Sequence, residues 1–359
     1  MASFFKTFLP QDKTTTRTLL HENIPITGTL LSGTYNPDSN NRGVNIKTFA
    51  HGMFQSVYDY PFASSSANHI FDITAGVSPT SLSVSSSIRG TNGQKSKKVN
   101  IYNQMAQVLN GYDVSGSVIL FDVDGDLTSG DKIHNPIFLN FSRLLTKDEI
   151  KRGSFSMTVA PALGHSQNSS GYGVYRTITD SGSLNNYKTN VPVGEYGILS
   201  CQGENVGLIY YQAGIVVLNM GHGTSGDATA NTVFDFDSTQ WGSSTTLNHV
   251  FSSSSIDTIS DGLRNRIGSI TFNNTTEVNS TIFVCKTGLN DFNYSSNPTY
   301  LSGSEIRVKN GETTTPPRSY ITTVGLYSPS GELLAVAKTS EPLRKDPTLS
   351  PTIRVRLDY

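Results

Sequence analysis

The sequence predicts a mainly β protein, in the range from all-β to α+β. Only 15% of its 359 residues are Asp, Glu, Lys or Arg, and 32 Gly lie among long tracts of Ser, Thr and Asn. The apolar residues fall in short runs between these polar tracts, as in proteins built from many strands and loops. We therefore expect a strand-rich N-terminal region with one or two short helices, followed by a C-terminal β-sandwich-like module.

The last part of the chain has the most regular β pattern. Every second residue from Tyr320 to Leu326 shares one face of a predicted strand. The turn sequence Ser328–Gly331 has Pro at its second position and Gly at its fourth, so Glu332–Lys338 is expected to return as the second strand of a hairpin. Apolar and polar side chains alternate again over Thr352–Tyr359, which predicts a final strand with one buried face.

Earlier segments predict further strands and two helices. The strand-like runs are 117–121, 137–141, 155–160, 172–179, 196–201, 207–211 and 215–219. A helix is predicted over Lys98–Asn110, because apolar residues recur there at intervals of three and four and Gly111 supplies a left-handed stop. A second helix is predicted from the capping box at Thr146–Glu149 to Gly153.

These patterns divide the chain into three parts. We expect an N-terminal arm at residues 1–35, a strand-rich main domain or domains at residues 36–265 and the β-sandwich-like module at residues 266–359. Pro10 and Pro25 interrupt the first part, which favours an extended arm that ties one subunit to the next. The alternative is that this part is the first edge strand of the domain.

Charge and hydropathy exclude several kinds of partner. The formal net charge is −1 and the pI is about 6.7, so no strong field attracts the protein to nucleic acid or to an anionic membrane. No apolar run approaches the roughly 20 residues of a membrane-spanning helix. The two cysteines, Cys201 and Cys285, lie in apolar strand-like runs, and we expect both to be buried reduced thiols.

Nine short segments, spread over most of the chain, carry a family resemblance. The segments are Phe5–Pro10, Leu19–Gly28, His51–Pro61, Tyr210–Ile215, Asn293–Tyr300, Ile306–Asn310, Thr323–Tyr327, Glu332–Lys338 and Arg354–Tyr359. Together they resemble the virion structural proteins of T-even-like, contractile-tailed marine phages, the cyanophage myovirus structural protein family.

The resemblance implies a virion structural protein that is made in the host bacterial cytoplasm and then becomes part of the particle. We expect a tail component, in the baseplate or the neck, that acts by assembly of subunits. Its partners would be other virion tail proteins and copies of itself, in a number set by the six-fold tail. No catalytic residues come with this family, and we expect the protein not to be an enzyme.

Candidate interface residues come from the predicted arm and from a cluster of aromatic residues. They are Phe8, Leu19, Leu20 and Ile24 in the arm, and Tyr58, Tyr60 and Phe62 in the cluster. Aromatic rings bury a large area at low entropy cost, and a tyrosine keeps a hydroxyl for its partner. Core packing is the alternative for these rings, and a carbohydrate-binding surface would use the same residue types.

The densest acidic cluster is Asp122, Asp124 and Asp126, on a loop with Gly125. Alternating carboxylates on a Gly turn offer oxygen ligands to Ca²⁺, but Gly125 is the fourth residue of the loop and the twelfth is Ile133, so the EF-hand pattern is not met. We predict a turn whose Asp side chains bond their own backbone amides. No metal site is predicted, and these three residues are the candidate ligands if one exists.

Two other functions suit the same composition. The first is a receptor- or glycan-binding adhesin of a tail fibre, with a host surface glycan as partner, although the sequence shows neither repeats nor coiled-coil segments. The second is a surface-polysaccharide hydrolase, which needs two carboxylates about 5–10 Å apart. The sequence has neither a Gly-x-Ser-x-Gly elbow nor a phosphate-binding glycine loop, so we predict no catalytic and no cofactor-binding residues.

Overall fold

Antiparallel strands make up most of the regular secondary structure. The structure, a computed structural model, describes residues 5–31, 42–84, 94–142, 144–145, 149–160, 175–190, 192–222, 229–230, 247–295, 297–303, 305–306 and 318–359. Strands account for 45% of the residues and helices for 16%, which confirms the predicted mainly β fold class.

The described strands are numbered in chain order. They are β1 Lys13–Thr27, β2 Ile46–Thr48, β3 Gln55–Tyr58, β4 His69–Ala75, β5 Pro136–Asn140, β6 Glu149–Ile150, β7 Ser156–Val159, β8 Arg176–Thr179, β9 Lys188–Asn190, β10 Gly194–Cys201, β11 Glu204–Tyr210, β12 Ile215–Asn219, β13 Gly221–His222, β14 Thr229–Ala230, β15 Ile267–Lys286, β16 Leu301–Ser302, β17 Glu305–Ile306, β18 Ser319–Tyr327, β19 Leu333–Lys345 and β20 Thr352–Asp358.

The described α-helices are α1 Gly28–Leu31, α2 Lys95–Leu109, α3 Leu247–Ser253 and α4 Ile256–Arg264. Short 3₁₀ turns occur at Pro10–Asp12, Leu82–Val84, Ser181–Leu184 and Pro298–Tyr300. Within the described ranges, none of these helices combines the length and the apolar character needed to cross a membrane.

The chain forms two compact units. Unit 1 comprises Met1–Leu19 and Glu277–Tyr359, and unit 2 comprises Leu20–Thr276. The predicted boundaries at residues 35 and 265 do not coincide with this division. The start of the chain belongs with the C-terminal strands because β1 is the hydrogen-bonded neighbour of β15, which carries residues of both units.

Unit 2 is built on one antiparallel sheet. Its strand order is β15–β7–β8–β10–β11–β12–β5–β4–β3–β2. The central strands β5 and β12 are buried over nearly their whole length. Their sequences, PIFLN and IVVLN, are continuous apolar runs rather than alternating ones, as expected for strands covered on both faces.

Helices cover both faces of this sheet. Side chains of α2 join one apolar cluster with Phe138 and Val217. Side chains of α3 and α4 join a second cluster, which contains Leu139 and Val216 from the same two strands. Neighbouring residues of one strand therefore point into different cores, which fixes the register of the sheet.

Within the described residues, unit 1 contains three separate strand groups, one of which is the short pair β16–β17. The first group is a sheet in which β15 lies between β1 and β20. In the second, β18 and β19 pair with each other around the turn Ser328–Gly331. The predicted hairpin and the predicted C-terminal strand are thus both confirmed, and Gly331 adopts φ +88° at the fourth turn position.

The first predicted helix is confirmed and the second is wrong. Helix α2 runs over Lys95–Leu109, and Gly111 has the expected left-handed conformation at φ +83°. The second helix was expected from Thr146 to Gly153, but Glu149–Ile150 forms β6; residues 146–148 lie outside the described residues. The N–H of Ile150 bonds to the carbonyl of Tyr211 instead, so strand pairing overrides the local capping signal.

Candidate functional site

The predicted arm anchors lie in different environments. Leu19 and Leu20 are 46% and 55% exposed in β1. Ile24, in contrast, packs against the main core of unit 2. Phe8 is half-buried, with its ring centroid 5.3 Å from that of Phe283. Of the four predicted anchors, only the adjacent leucines are therefore available to a partner over a large part of their surface.

β1 is an edge strand with both faces open. All residues from Lys13 to Asn23 are exposed. The Thr15 hydroxyl lies 3.1 Å from that of Thr281, and Arg17 forms an ion pair with Glu277, so β15 supplies the contacts on one side. Among the described residues, no strand pairs with the opposite edge. The structure thus places this part of the predicted arm in the alternative arrangement, an edge strand.

The predicted aromatic cluster is partly exposed. Tyr60 and Phe62 are 51% and 42% exposed. Tyr58 is half-buried, and its ring lies 6.3 Å from that of Phe62 and 5.4 Å from the His69 imidazole. Two of the three predicted residues are therefore surface residues, and the third, Tyr58, is half-buried with its ring near that of Phe62.

Further rings extend this aromatic surface of unit 2. The rings of Phe49 and His51 stack at 5.1 Å, and Phe54 lies 4.7 Å from Phe49. The Lys47 ammonium lies 5.1 Å from the Phe49 ring and 5.9 Å from the Phe62 ring. This places a cation between two aromatic groups, a favourable arrangement at a protein surface.

Among the described elements, the β18–β19 hairpin, residues 319–345, exposes the largest number of large apolar side chains; it is called the ribbon below. The alternation over Tyr320–Leu326 predicted one shared face, but within that set only Leu326 is buried and Tyr320 is 47% exposed. On the second strand, Leu334 is 68% and Val336 is 52% exposed. The hairpin was predicted, whereas its exposure was not, because alternation does not say what covers a strand.

The two edges of the ribbon differ in how they are protected. β18 contains no charged residue and no proline. β19 contains both, including Lys338 and Pro342, and residues 339–342 bulge opposite Thr322. Charges, proline and bulges are the devices that block the addition of another strand. The free edge of β18 carries none of these devices.

The structure brings the three candidate metal ligands together. One oxygen from each of Asp122, Asp124 and Asp126 lies within 4.8 Å of the others. Asp122 is fully buried, and its Oδ2 accepts a hydrogen bond of 2.5 Å from the ammonium of Lys132. A cation bound here would have to compete with that ammonium for Asp122.

Backbone amides hold the remaining carboxylates of this loop. The Asp126 N–H donates to Asp124, and the Thr128 and Ser129 N–H groups donate to Asp126. The N–H groups of Thr128 and Ser129 keep the pKa of Asp126 far below its usual range. Burial instead raises the pKa of Asp122, against the opposing effect of Lys132. The loop has the hydrogen bonds of an Asx turn, with one buried carboxylate beside two exposed ones.

A second constellation contains Ser56, Asp72 and His69. The Ser56 hydroxyl donates to Asp72 Oδ1 over 2.5 Å, and His69 Nε2 lies 2.6 Å from the same oxygen. In a nucleophile relay the imidazole lies between the hydroxyl and the carboxylate. Here both groups converge on one oxygen, so the arrangement anchors β3 to β4 and does not activate the hydroxyl.

Comparisons of the chain with protein-family models, with curated proteins and with solved structures found no match.

Proposed function

We propose that the protein is a virion structural protein of a contractile-tailed phage, a tail component of the baseplate or neck that acts by subunit assembly. The family resemblance of the sequence supports the class of protein. The exposed apolar ribbon of unit 1 is the structural observation that supports the mechanism.

The ribbon offers an apolar area close to that of one side of a protein interface. Its six large exposed apolar side chains are between 38% and 68% exposed: Tyr320, Tyr327, Leu333, Leu334, Val336 and Leu343. With about 200 Å² for a fully exposed large side chain, they present roughly 600 Å². Stable interfaces bury about 800 Å² per partner, so the ribbon can supply the larger part of one side.

The stability of the ribbon also favours a partner. A two-stranded hairpin is marginally stable in water unless a further strand or layer packs on it. Within the described chain, β18 and β19 pair only with each other. The Phe5 ring contacts Tyr327 at 5.0 Å, but Phe5 is itself 54% exposed and leaves most of the ribbon open. A neighbouring subunit would supply the missing layer.

The part of β1 that belongs to unit 1, Lys13–Leu19, offers a second contact of a different kind. Within the described residues no strand pairs with its outer edge, to which a strand of a neighbouring protein can add. Backbone pairing at β1 would set the direction of a strand of the neighbouring subunit. Apolar packing at the ribbon would supply most of the contact area. The low content of charge, 15% of residues, means that few ions lose their hydration when such contacts form.

Labelling of virus particles tests the proposed function. An antiserum against the recombinant protein is applied to purified particles of a phage that encodes this chain, and the particles are viewed by electron microscopy. We expect label on the tail, at the baseplate or neck, and peptides of the chain in the mass spectrum of the particles. Purified particles that lack the protein would contradict the proposal.

Point substitutions test the role of the ribbon. In particles grown with Leu334→Lys, we expect a lower content of the protein because a charge replaces an exposed apolar contact. Leu289→Lys is the matched control, since Leu289 is 53% exposed in the same unit but lies outside the ribbon. Equal incorporation of both variants would assign assembly to another surface.

An adhesin is the second candidate, and the aromatic surface of unit 2 favours it. Tyr60 and Phe62 expose ring area beside the cation of Lys47, and aromatic rings with nearby polar groups are suited to ligand binding. A glycan array probed with the recombinant protein tests this function. Binding that is lost in Phe62→Ala would support the adhesin, and an array without signal would count against it.

A further inference from the structure

Lys132 and Asp122 face each other across a rigid two-stranded bridge in unit 2. The two residues are antiparallel bridge partners. Backbone hydrogen bonds on both sides hold this bridge: Val123 N–H to Asp131 at 3.0 Å and Ile133 N–H to Phe121 at 2.8 Å. The Lys132 Nζ atom lies 2.5 Å from Asp122 Oδ2, so the carboxyl carbon is one bond further away.

The Asp122 side chain is fully buried beside a second carboxylate, that of Asp124. Burial, together with Asp124, raises the pKa of Asp122 and so favours its neutral acid. Lys132 keeps 21% of its side chain exposed, which leaves a path for a small molecule to leave.

A third group completes the set. Asp124 has a carboxylate oxygen within 4.8 Å of an oxygen of Asp122. Asp126 is equally near, but the N–H groups of Thr128 and Ser129 hold it as a carboxylate. Asp124 accepts one backbone N–H, that of Asp126, where Asp126 accepts two, so Asp124 is the member of the cluster that we assign as the proton carrier.

We propose that Lys132 and Asp122 condense to form an intramolecular isopeptide bond, with Asp124 as the proton carrier. A proton first passes from the Lys132 ammonium to the Asp122 carboxylate, which gives a neutral amine beside a neutral acid. The Nζ lone pair then attacks the carboxyl carbon and forms the N–C bond. Asp124 accepts a proton from the nitrogen and donates it to the departing oxygen, so the C–O bond breaks and one water molecule leaves.

The reaction needs no other reactant, and Asp124 ends in the charge state in which it began. Proximity favours the reaction, because two reacting groups that are held about 3–3.5 Å apart react as if each were present at very high concentration. A lysine amine acts as a nucleophile once it loses its proton in a desolvated site. The product closes a covalent loop over residues 122–132 and replaces a buried charge pair with a neutral amide.

The intact mass of the full-length protein tests the bond. The recombinant chain is incubated folded at neutral pH, denatured in guanidinium chloride and weighed by mass spectrometry. We expect a mass lower than the sequence mass by one water molecule, and a tryptic peptide of residues 99–143 that is lighter by one water molecule and stays uncleaved after Lys132. A folded wild-type chain that keeps the full sequence mass would overturn the proposal.

Variants separate the isopeptide bond from other losses of water. Lys132→Arg keeps the cation but forms no amide, so we expect the full mass. If Lys132→Arg is lighter by the same amount, a succinimide at an Asp–Gly step, Asp124–Gly125 or Asp261–Gly262, is the product and the proposal is wrong. Asp124→Asn is expected to reduce the cross-linked fraction at least tenfold, whereas Asp126→Asn, which keeps an acceptor oxygen for the loop amides, is expected to cross-link as the wild type does. Circular dichroism confirms that each variant is folded.

Discussion

The carboxylate of Asp180 joins three segments of unit 2. Its Oδ2 accepts hydrogen bonds from the Gly153 N–H at 2.7 Å and from the Tyr211 hydroxyl at 3.1 Å, and its Oδ1 accepts from the Phe155 N–H at 2.9 Å. Asp180 is fully buried. Since Gly153 and Phe155 precede β7 and Tyr211 follows β11, one side chain fixes the ends of strands from distant parts of the sheet.

Asp180→Ala is expected to lower the free energy of unfolding by about 3 kcal/mol. The Phe155 N–H would be left buried without its acceptor, at a cost of about 1–3 kcal/mol. The half-buried Gly153 N–H and the Tyr211 hydroxyl would each lose a bond of about 1 kcal/mol. Removal of the buried carboxylate offsets part of this loss. Urea denaturation followed by circular dichroism measures the difference.

Asp180→Asn is the matched control, because it keeps one acceptor oxygen and cannot ionise. Burial raises the pKa of Asp180 above its ordinary value of 3.8. The free energy of unfolding of the wild type, relative to that of the Asn variant, is therefore highest below pH 3.8. It falls as the pH rises through the pKa of Asp180 in the folded protein. A loss below about 1 kcal/mol for Asp180→Ala would mean that the freed amides find other acceptors, which would refute the reasoning.

Three further predictions concern the ribbon, the N-terminus and a buried lysine. Leu334→Lys is expected to change the free energy of unfolding of the isolated protein by less than about 0.5 kcal/mol, because Leu334 is 68% exposed; urea denaturation checks this. Deletion of residues 1–12 is expected to leave the melting temperature nearly unchanged in thermal scans. Deletion of residues 1–35 removes the fully buried Leu31 from the core and is expected to cost at least about 2–5 kcal/mol. Burial lowers the pKa of Lys98 from 10.5 to about 8, so the unfolded chain binds more protons between these values and stability rises with pH there; melts of Lys98→Met at pH 8 and about 9.5 are expected to lack this rise.

Local patterns predicted the elements whose residues are also local partners. The hairpin of β18 and β19 follows from a turn with Gly331 at its fourth position, and α2 follows from apolar spacing together with Gly111. Each of these signals lies within one short segment. No distant residue is needed to decide the conformation, so the sequence is sufficient.

Helix α4 shows a local signal that composition concealed. Ser255 caps the helix by accepting a hydrogen bond from the Thr258 N–H, and Ile256, Ile259 and Leu263 are all fully buried. This is the spacing of an apolar helix face. The run of serines at 252–255 is typical of a polar loop, and its last member is nevertheless the N-cap of the helix.

β15 could not be predicted as one strand, because its centre is polar. The residue types are strand-like at Thr271–Phe272 and again at Thr281–Cys285, whereas the structure has one strand of 20 residues. Between these segments, Asn274 pairs with Ile150 of β6, so a strand from elsewhere in the chain sustains the polar middle. Pairing between distant segments decides such regions, and it leaves little trace in either sequence alone.

The same limit applies to the sites. Alternation along β18 predicts which residues share a face, but it is equally compatible with a face against the core, a face against another subunit and a face in water. The approach of Lys132 to Asp122 likewise depends on the bridge that brings residues 122 and 132 opposite each other. Three carboxylates in the sequence suggest a cation ligand set, and the ammonium that meets one of them becomes visible only after folding. The loop that was predicted as a turn of Asp side chains thus holds, in the folded chain, an ammonium that faces a buried carboxylate.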